Sequence, residues 1–202
     1  MDLIEFIKER AKEFANKVFL RERKNSLTYR EFDLATDRMA GALQSLGLEK
    51  GDHAAVLFPN SMDTLLGYFS VIKAGGTAIP INSLYTPREV AFILNNSGAK
   101  ILLSAGPFRK TIEGIRPQVP TLALAVFRGE EDSSIIKAVV RLAPSAHSLR
   151  PVDLSAEDNA IIFYTSGTLG QPKGVILTHG NFCFSGPNIA RAYGLEEEDI
   201  TM

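Results

Sequence analysis

From His53 onward the chain repeats one unit: a short apolar run, a breaker, then an amphipathic stretch. This repetition constrains the fold more than any other feature of the sequence. HAAVLF (residues 53–58) is a strand-length apolar run interrupted by Pro59 and Asn60; Met62, Leu65, Leu66, Phe69 and Ile72 then recur at helical spacing as far as Gly75 and Gly76. TAIPI (77–81) opens a second unit. In it Thr86, Pro87 and Glu89 supply an N-cap, a proline at the first helical position and the glutamate of a capping box, and Val90, Ile93 and Leu94 carry the helix to Gly98. KILLS (100–104) is a third strand, Phe108 to Ile115 a short helix, and TLALAVF (121–127) a further strand. Strands joined through helices rather than tight hairpins need crossover connections, which implies a mostly parallel sheet with both faces covered. The expected fold class is α/β, a mostly parallel sheet covered by helices.

The flanking segments are less regular. Leu3, Ile7, Ala11, Phe14 and Val18 share one helical face, which is expected to dock on the core, with a bilayer surface as the alternative. KVFLRE (17–22) and SLTY (26–29), parted by Arg23 to Asn25, read as a small hairpin. Thr28 and Glu31 form a capping box for a helix through Phe32, Ala35, Met39, Leu43 and Leu46, closed by Gly47. Over residues 128–159 the pattern weakens to a helix at 135–142 and a stretch rich in proline, serine and arginine at 144–151, read as a crossover or subdomain boundary.

Composition removes several function classes. Against 23 acidic residues there are 22 basic ones, a formal charge of −1, so counterion release from a nucleic acid cannot be the main driver of binding and no nucleic acid is expected as a partner. A single cysteine, Cys183, excludes an intrachain disulfide and a multi-cysteine metal cage. His53, His147 and His179 lack ligand spacing, so no metal site is expected either. Packing or capping is expected of His179, and a core position of Cys183. The apolar runs fall far short of the roughly 20 residues that span a bilayer. The opening MDLIEFIKERAKEF also lacks the unbroken apolar region of a signal peptide. A cytoplasmic location is expected, with peripheral membrane contact as the alternative.

Chemistry concentrates in residues 160–178. The apolar run AIIFY enters TSGTLGQPKG and VILT leaves it, a hairpin whose loop holds Gly167, Gly170 and Gly174, the hydroxyls of Thr165, Ser166 and Thr168 with Tyr164 just before them, and Lys173. Glycines let backbone amides crowd an anion, hydroxyls donate to its oxygens and the lysine adds positive charge, so these are the parts of a polyphosphate cradle. A flexible hairpin turn would need only two to five residues and none of these side chains. The loop is not a Walker motif, because Lys173 is followed by Gly174 and then by strand-forming residues instead of Ser or Thr and a helix. Nor does it carry the GxGxxG of a dinucleotide site.

YTSGTLGQPKGVILTHGN resembles the signature phosphate loop of the adenylate-forming superfamily, which includes acyl-CoA synthetases, luciferases and the adenylation domains of peptide synthetases. LTYREFDLATDRMAGAL and VIKAGGTAIPIN are similar to other stretches of that family, and INSLYTPREVAFILNNSGAK to its fatty acyl-CoA ligase branch. Leu169 stands where the family usually has a second threonine. The resemblance implies that Thr165, Ser166, Gly167, Thr168, Gly170, Lys173 and Gly174 bind the nucleotide's phosphates, with Lys173 as the catalytic residue neutralising the leaving pyrophosphate. It further implies ATP with Mg2+, whose ligand is expected outside these residues, CoA as co-substrate, and a carboxylic acid, a fatty acid by preference, as the group activated.

By the same resemblance residues 1–202 are an incomplete N-terminal, large domain. The family's magnesium-binding tyrosine-glycine-x-threonine-glutamate motif, its ribose-binding aspartate and its C-terminal lysine have no counterpart here. The chain alone is then expected to be inactive and, with part of its sheet uncovered, to self-associate. Phe182, Phe184, Ile189 and Tyr193, on a helix over 181–193, read either as an acyl tunnel wall or as ordinary core. The rival readings are an aryl-CoA ligase or amino-acid adenylation domain and, in a different class, a non-catalytic short protein that binds a nucleotide or a partner.

Overall fold

The computed structural model describes residues 2–129, 131–132, 134–143, 148–165, 171–196 and 199. In chain order it contains α1 (Leu3–Glu13), β1 (Val18–Glu22), β2 (Asn25–Thr28), α2 (Tyr29–Ser45), β3 (His53–Leu57), α3 (Met62–Lys73), β4 (Thr77–Pro80), α4 (Pro87–Ser97), β5 (Ile101–Ala105), α5 (Arg109–Ile115), β6 (Leu124–Arg128), α6 (Ile135–Leu142), β7 (Asn159–Thr165), β8 (Lys173–Thr178) and α7 (His179–Tyr193).

Local chemistry sets most of the boundaries. Thr28 with Glu31 and Thr86 with Glu89 close reciprocal capping boxes at the starts of α2 and α4. Gly47, Gly75 and Gly98 adopt positive φ where α2, α3 and α4 end. Two further boxes, Asp2 with Glu5 on α1 and Thr178 with Asn181 on α7, went unread in the sequence. The second moves the start of α7 from the expected Asn181 back to His179. Three other expectations also shift. The first helix ends at Glu13, so Val18 lies in β1 and not on the helical face. Asn25 belongs to β2, leaving Arg23, at φ 53°, and Lys24 as the turn. β6 begins at Leu124 and not Thr121, because the Arg116 guanidinium takes the carbonyls of Leu122 and Ala123.

β1 and β2 pair as an antiparallel hairpin, and the other six strands form one sheet in the order β6-β5-β3-β4-β7-β8. Its pairings are parallel except for β7 with β8, as expected of the α/β class. The side-chain period of two splits the core between the two faces. Ala54 and Val56 of β3 pack with α2, α3 and α6, whereas Ala55 and Leu57 pack with α4 and α5. Leu3 and Ala11 of α1 are buried, and Ile4 and Ile7 lie against the first of these clusters, so the apolar face of α1 is spent on the protein's own core.

The connection from β6 to β7 crosses the sheet on the side of α2 and α3. Ile135, Ala138 and Val139 of α6 are buried in the first cluster. The return segment then presses on α2: the Arg150 N–H donates to Gln44 Oε1 at 2.9 Å, and Gln44 Nε2 donates back to the Arg150 carbonyl at 3.1 Å. Gly41 permits this approach, since a Cβ there would stand 2.9 Å from the Leu149 nitrogen. That crossover delivers β7 beside β4.

Candidate functional site

A parallel sheet gathers the carboxyl ends of its strands along one edge, and a strand order that reverses there leaves a crevice. Here β3 is followed by β4 on one side and the chain then returns to place β5 on the other. Beyond the ends of β3 and β4 lies a cleft of about 610 Å³, lined among others by Asn60, Tyr68, Asn82, Tyr85, Phe163 and Tyr164. Burial pushes the hydroxyls of Tyr68 and Tyr164 upward from the ordinary tyrosine range, so both stay protonated donors at neutral pH. A second cavity of about 240 Å³, against Asp2, Lys73 and Arg150, shares no lining residue with the first.

β7 leads into the glycine-rich segment from the edge of this cleft. Its pairing with β4 is a single register pair, Ala78 with Ile161, while its antiparallel pairing with β8 runs up to Thr165 opposite Lys173. Thr165 and Lys173 thus face each other across the mouth of the segment, both exposed. One rung below, Gly174 stands opposite Tyr164. A Cβ at Gly174 would come within 2.9 Å of Ile162 Cγ2 and 3.3 Å of Tyr164 Cζ, so the glycine makes room for the tyrosine ring. Of the expected binding residues, Thr165, Lys173 and Gly174 are brought together at this mouth. Ser166, Gly167, Thr168 and Gly170 lie outside the described residues, as does Leu169.

The profile of the family described as AMP-binding enzyme matches residues 7–202. The chain belongs to that family. It is 36% identical over 154 residues to the long-chain-fatty-acid–CoA ligase FadD13 of Mycobacterium tuberculosis (strain ATCC 25618 / H37Rv), a match covering 76% of this chain and 30% of that protein. Its fold superposes on the long-chain-fatty-acid-CoA ligase FadD1 of Archaeoglobus fulgidus with a TM-score of 0.86 at 28% identity, covering 98% of this chain and 41% of the other. The anthranilate CoA ligase AuaEII, solved with anthranoyl-AMP, gives a TM-score of 0.82 at 26% identity, covering 97% and 36%. The chain therefore spans about 30% to 41% of the length of these AMP-binding relatives.

In this chain the tyrosine that precedes the loop has a partner outside it. The Tyr164 hydroxyl, counted in the sequence among those of the loop, donates to Asn96 Oδ1 on α4 at 2.7 Å. The Tyr164 carbonyl in turn accepts the Tyr85 hydroxyl at 3.3 Å. Tyr85 and Asn96 were not singled out in the sequence. They stand 79 and 68 residues before Tyr164, and no periodicity links such positions.

His53 and His179 are occupied by packing, and His147 lies outside the described residues. His179 is buried at the start of α7, and its Nδ1 accepts the Leu3 N–H at 3.2 Å. His53 bonds the Ser97 carbonyl through Nδ1. Cys183 is half-buried at the margin of the first core cluster and not in its interior as expected. Of the apolar residues read on α7, Phe182 is half-buried and packs against the first core cluster, whereas Phe184, Ile189 and Tyr193 are 75%, 53% and 79% exposed. Among the described residues no three His, Cys, Asp or Glu side chains converge as metal ligands, and no helix is long and apolar enough to cross a membrane.

Proposed function

We propose that this chain holds the polyphosphate of ATP in an enzyme that activates a carboxylic acid, preferentially a fatty acid, as acyl-adenylate and passes the acyl group to CoA. The observation that carries this reading is the mouth formed by Thr165 and Lys173 at the carboxyl edge of the parallel sheet. In the first step a carboxylate oxygen bonds to the α-phosphorus while the bond from that phosphorus to the β-phosphate bridging oxygen breaks, releasing pyrophosphate. In the second the CoA thiol, losing its proton, bonds to the acyl carbon and AMP leaves. Negative charge grows on the departing pyrophosphate, and donors fixed in advance stabilise it without reorganising. Lys173 would supply the positive charge, and Thr165, Ser166 and Thr168 the hydroxyl donors, with backbone amides around Gly167, Gly170 and Gly174. Mg2+ would arrive on the phosphate oxygens of the nucleotide itself.

The preference for a fatty acid draws support from the similarity to FadD13, 36% identical over 154 residues, and from the fatty-acid ligase FadD1, which on superposition is 28% identical against 26% for the anthranilate ligase. We further propose that adenylation needs residues beyond these 202, as the longer relatives possess. The deciding experiment is calorimetry of MgATP binding to the 202-residue chain and to Lys173→Ala, alongside exchange of labelled pyrophosphate into ATP in the presence of long-chain and aromatic acids. The variant is expected to bind about tenfold more weakly, which corresponds to the net worth of one charge-assisted contact, about 1.4 kcal/mol. Equal binding by both chains, or none by the wild type, would sink the phosphate assignment. Acid-dependent exchange by the 202-residue chain would overturn its inactivity, and exchange with aromatic acids alone by a protein in which this chain is continued through those further residues would overturn the fatty-acid preference.

We also infer that copies of this chain associate through β8 and α7. β8 is the outermost strand of the sheet, and both Val175 and Ile176, which point to opposite faces, are exposed.

A further inference from the structure

Lys173 and Thr165 can act together on an anion only if the hairpin that carries them is held in one position, and the sheet itself does little to hold it. β4 stops at Pro80 and its one register pair with β7 is Ala78 with Ile161; Ile162 is still buried in the second core cluster, but residues 163–165 run on beyond it. On its other side β7 has only β8, itself the edge of the sheet. A two-stranded projection of this kind is marginal without further packing.

We propose that Tyr164 is a positioning residue that fixes the mouth of the loop, Thr165 opposite Lys173, against α4 and the segment 82–86. Three contacts converge on it. Its hydroxyl donates to Asn96 Oδ1 at 2.7 Å, which ties the hairpin to the last turn of α4. Its carbonyl accepts the Tyr85 hydroxyl at 3.3 Å, a side chain standing in for the strand partner that β4 no longer provides. Its ring lies in the space left open by Gly174, one residue from Lys173. A hydroxyl committed to Asn96 is not free to meet a phosphate, so Tyr164 acts through Thr165 and Lys173 and touches no reacting atom. Gly174 acquires a role on the same geometry, since any side chain there would lift the ring and break the bond to Asn96. This inference rests on the phosphate reading of the loop only for its effect on nucleotide binding.

Tyr164→Phe keeps the ring and removes the hydroxyl. In hydrogen-exchange mass spectrometry of the wild-type chain and variants, peptides covering 163–165 and 171–174 should exchange about tenfold faster in Tyr164→Phe and in Asn96→Ala. Peptides from β3 and β5 should not change, nor should the melting temperature by more than about 2 °C. Asn96→Asp keeps the acceptor and should restore slow exchange, which a general loss of packing would not allow. The double variant Tyr164→Phe/Asn96→Ala should be no worse than either single one, because both break one bond. MgATP affinity should fall about fivefold in Tyr164→Phe. Unchanged exchange at the hairpin overturns the proposal, as does a loss of MgATP affinity in Lys173→Ala with none in Tyr164→Phe. Faster exchange in Tyr164→Phe together with no effect of Lys173→Ala on MgATP would uphold the positioning role and remove the phosphate reading instead.

Discussion

The ammonium of Lys73 lies 2.5 Å from a carboxylate oxygen of Asp33, and of the two side chains it is the lysine that is wholly buried, at 0% exposure against 19%. Asp37, one turn further along α2, approaches the same nitrogen at 2.7 Å, and the Asp33 carbonyl accepts from it at 3.0 Å. The carboxylates keep some access to water, while the ammonium has none. Removing both acids should therefore cost more than removing the base, because only the first leaves an uncompensated buried charge. Urea unfolding of Asp33→Asn/Asp37→Asn is expected to show a loss of about 3–5 kcal/mol, with Lys73→Met losing less than half of that. The reverse order would show that the ammonium reaches water in solution.

A buried acid of opposite character begins α6. Asp63, in the first turn of α3, accepts the Ile135 N–H at 2.8 Å and meets Arg128 Nε at 3.1 Å, so a side chain from a distant helix serves where Ser134, the N-cap residue, makes no capping bond. Burial raises its pKa above the ordinary 3.8, outweighing the hydrogen bond from Ile135 and the charge of Arg128, while Glu22 adds to the rise. The folded state thus holds this proton more tightly than the unfolded one. Its contribution is most favourable below pH 3.8 and declines as pH climbs through the folded pKa. Asp63→Asn retains an acceptor without the charge and should remove this decline, leaving stability at pH 7 within about 1 kcal/mol. Asp63→Leu strands the Ile135 amide and should cost about 1–3 kcal/mol at every pH, as denaturation curves between pH 3 and 7 would reveal.

Asp63 and Lys73 also mark the limit of what could be read in the sequence. Capping boxes, terminal glycines and alternating apolar runs are local, and they gave the strand and helix order from His53 to Leu142, with β6 displaced by three residues at its start. Gln44 with Arg150, Asp63 with Ile135 and Tyr164 with Asn96 join positions far apart, and no spacing rule announces them. The same division runs through the candidate site. Lys173 and Thr165 stood out by residue type, because a polyphosphate cradle has a composition. Tyr85 and Asn96 are ordinary residues made relevant by β4 stopping short.

If β8 and α7 form the contact between copies, a charge on the open edge should abolish it. Ile176 is 54% exposed, and Ile176→Lys places an ammonium where a second strand would have to pair. Light scattering across a concentration series should show the wild-type chain growing in mass while the variant remains monomeric, with no change in melting temperature. A wild-type chain of constant monomer mass would dismiss the contact.

His179 couples the two ends of the described chain through an acceptor that acid should destroy. Its Nδ1 takes the Leu3 N–H, and its Nε2 is buried without a partner among the described residues, so the neutral ring with the proton on Nε2 fits the site. Burial lowers its pKa below the ordinary 6.5, against the pull of Asp2 and Asp158 and with a smaller push from Lys50. A depressed histidine pKa means that the unfolded chain binds the proton more readily. The stability from this contact is complete above pH 6.5 and is lost as pH falls through the folded pKa. Acidification should loosen α1 from α7 before the sheet unfolds, because α1 has only Leu3 and Ala11 fully buried to hold it. Hydrogen exchange in α1 should accelerate between pH 6.5 and 5 relative to that of β3, after correction for the intrinsic pH dependence of exchange. In His179→Phe, which cannot titrate, the excess should vanish and α1 should exchange fast at both values, whereas a persisting pH effect would assign it to another group.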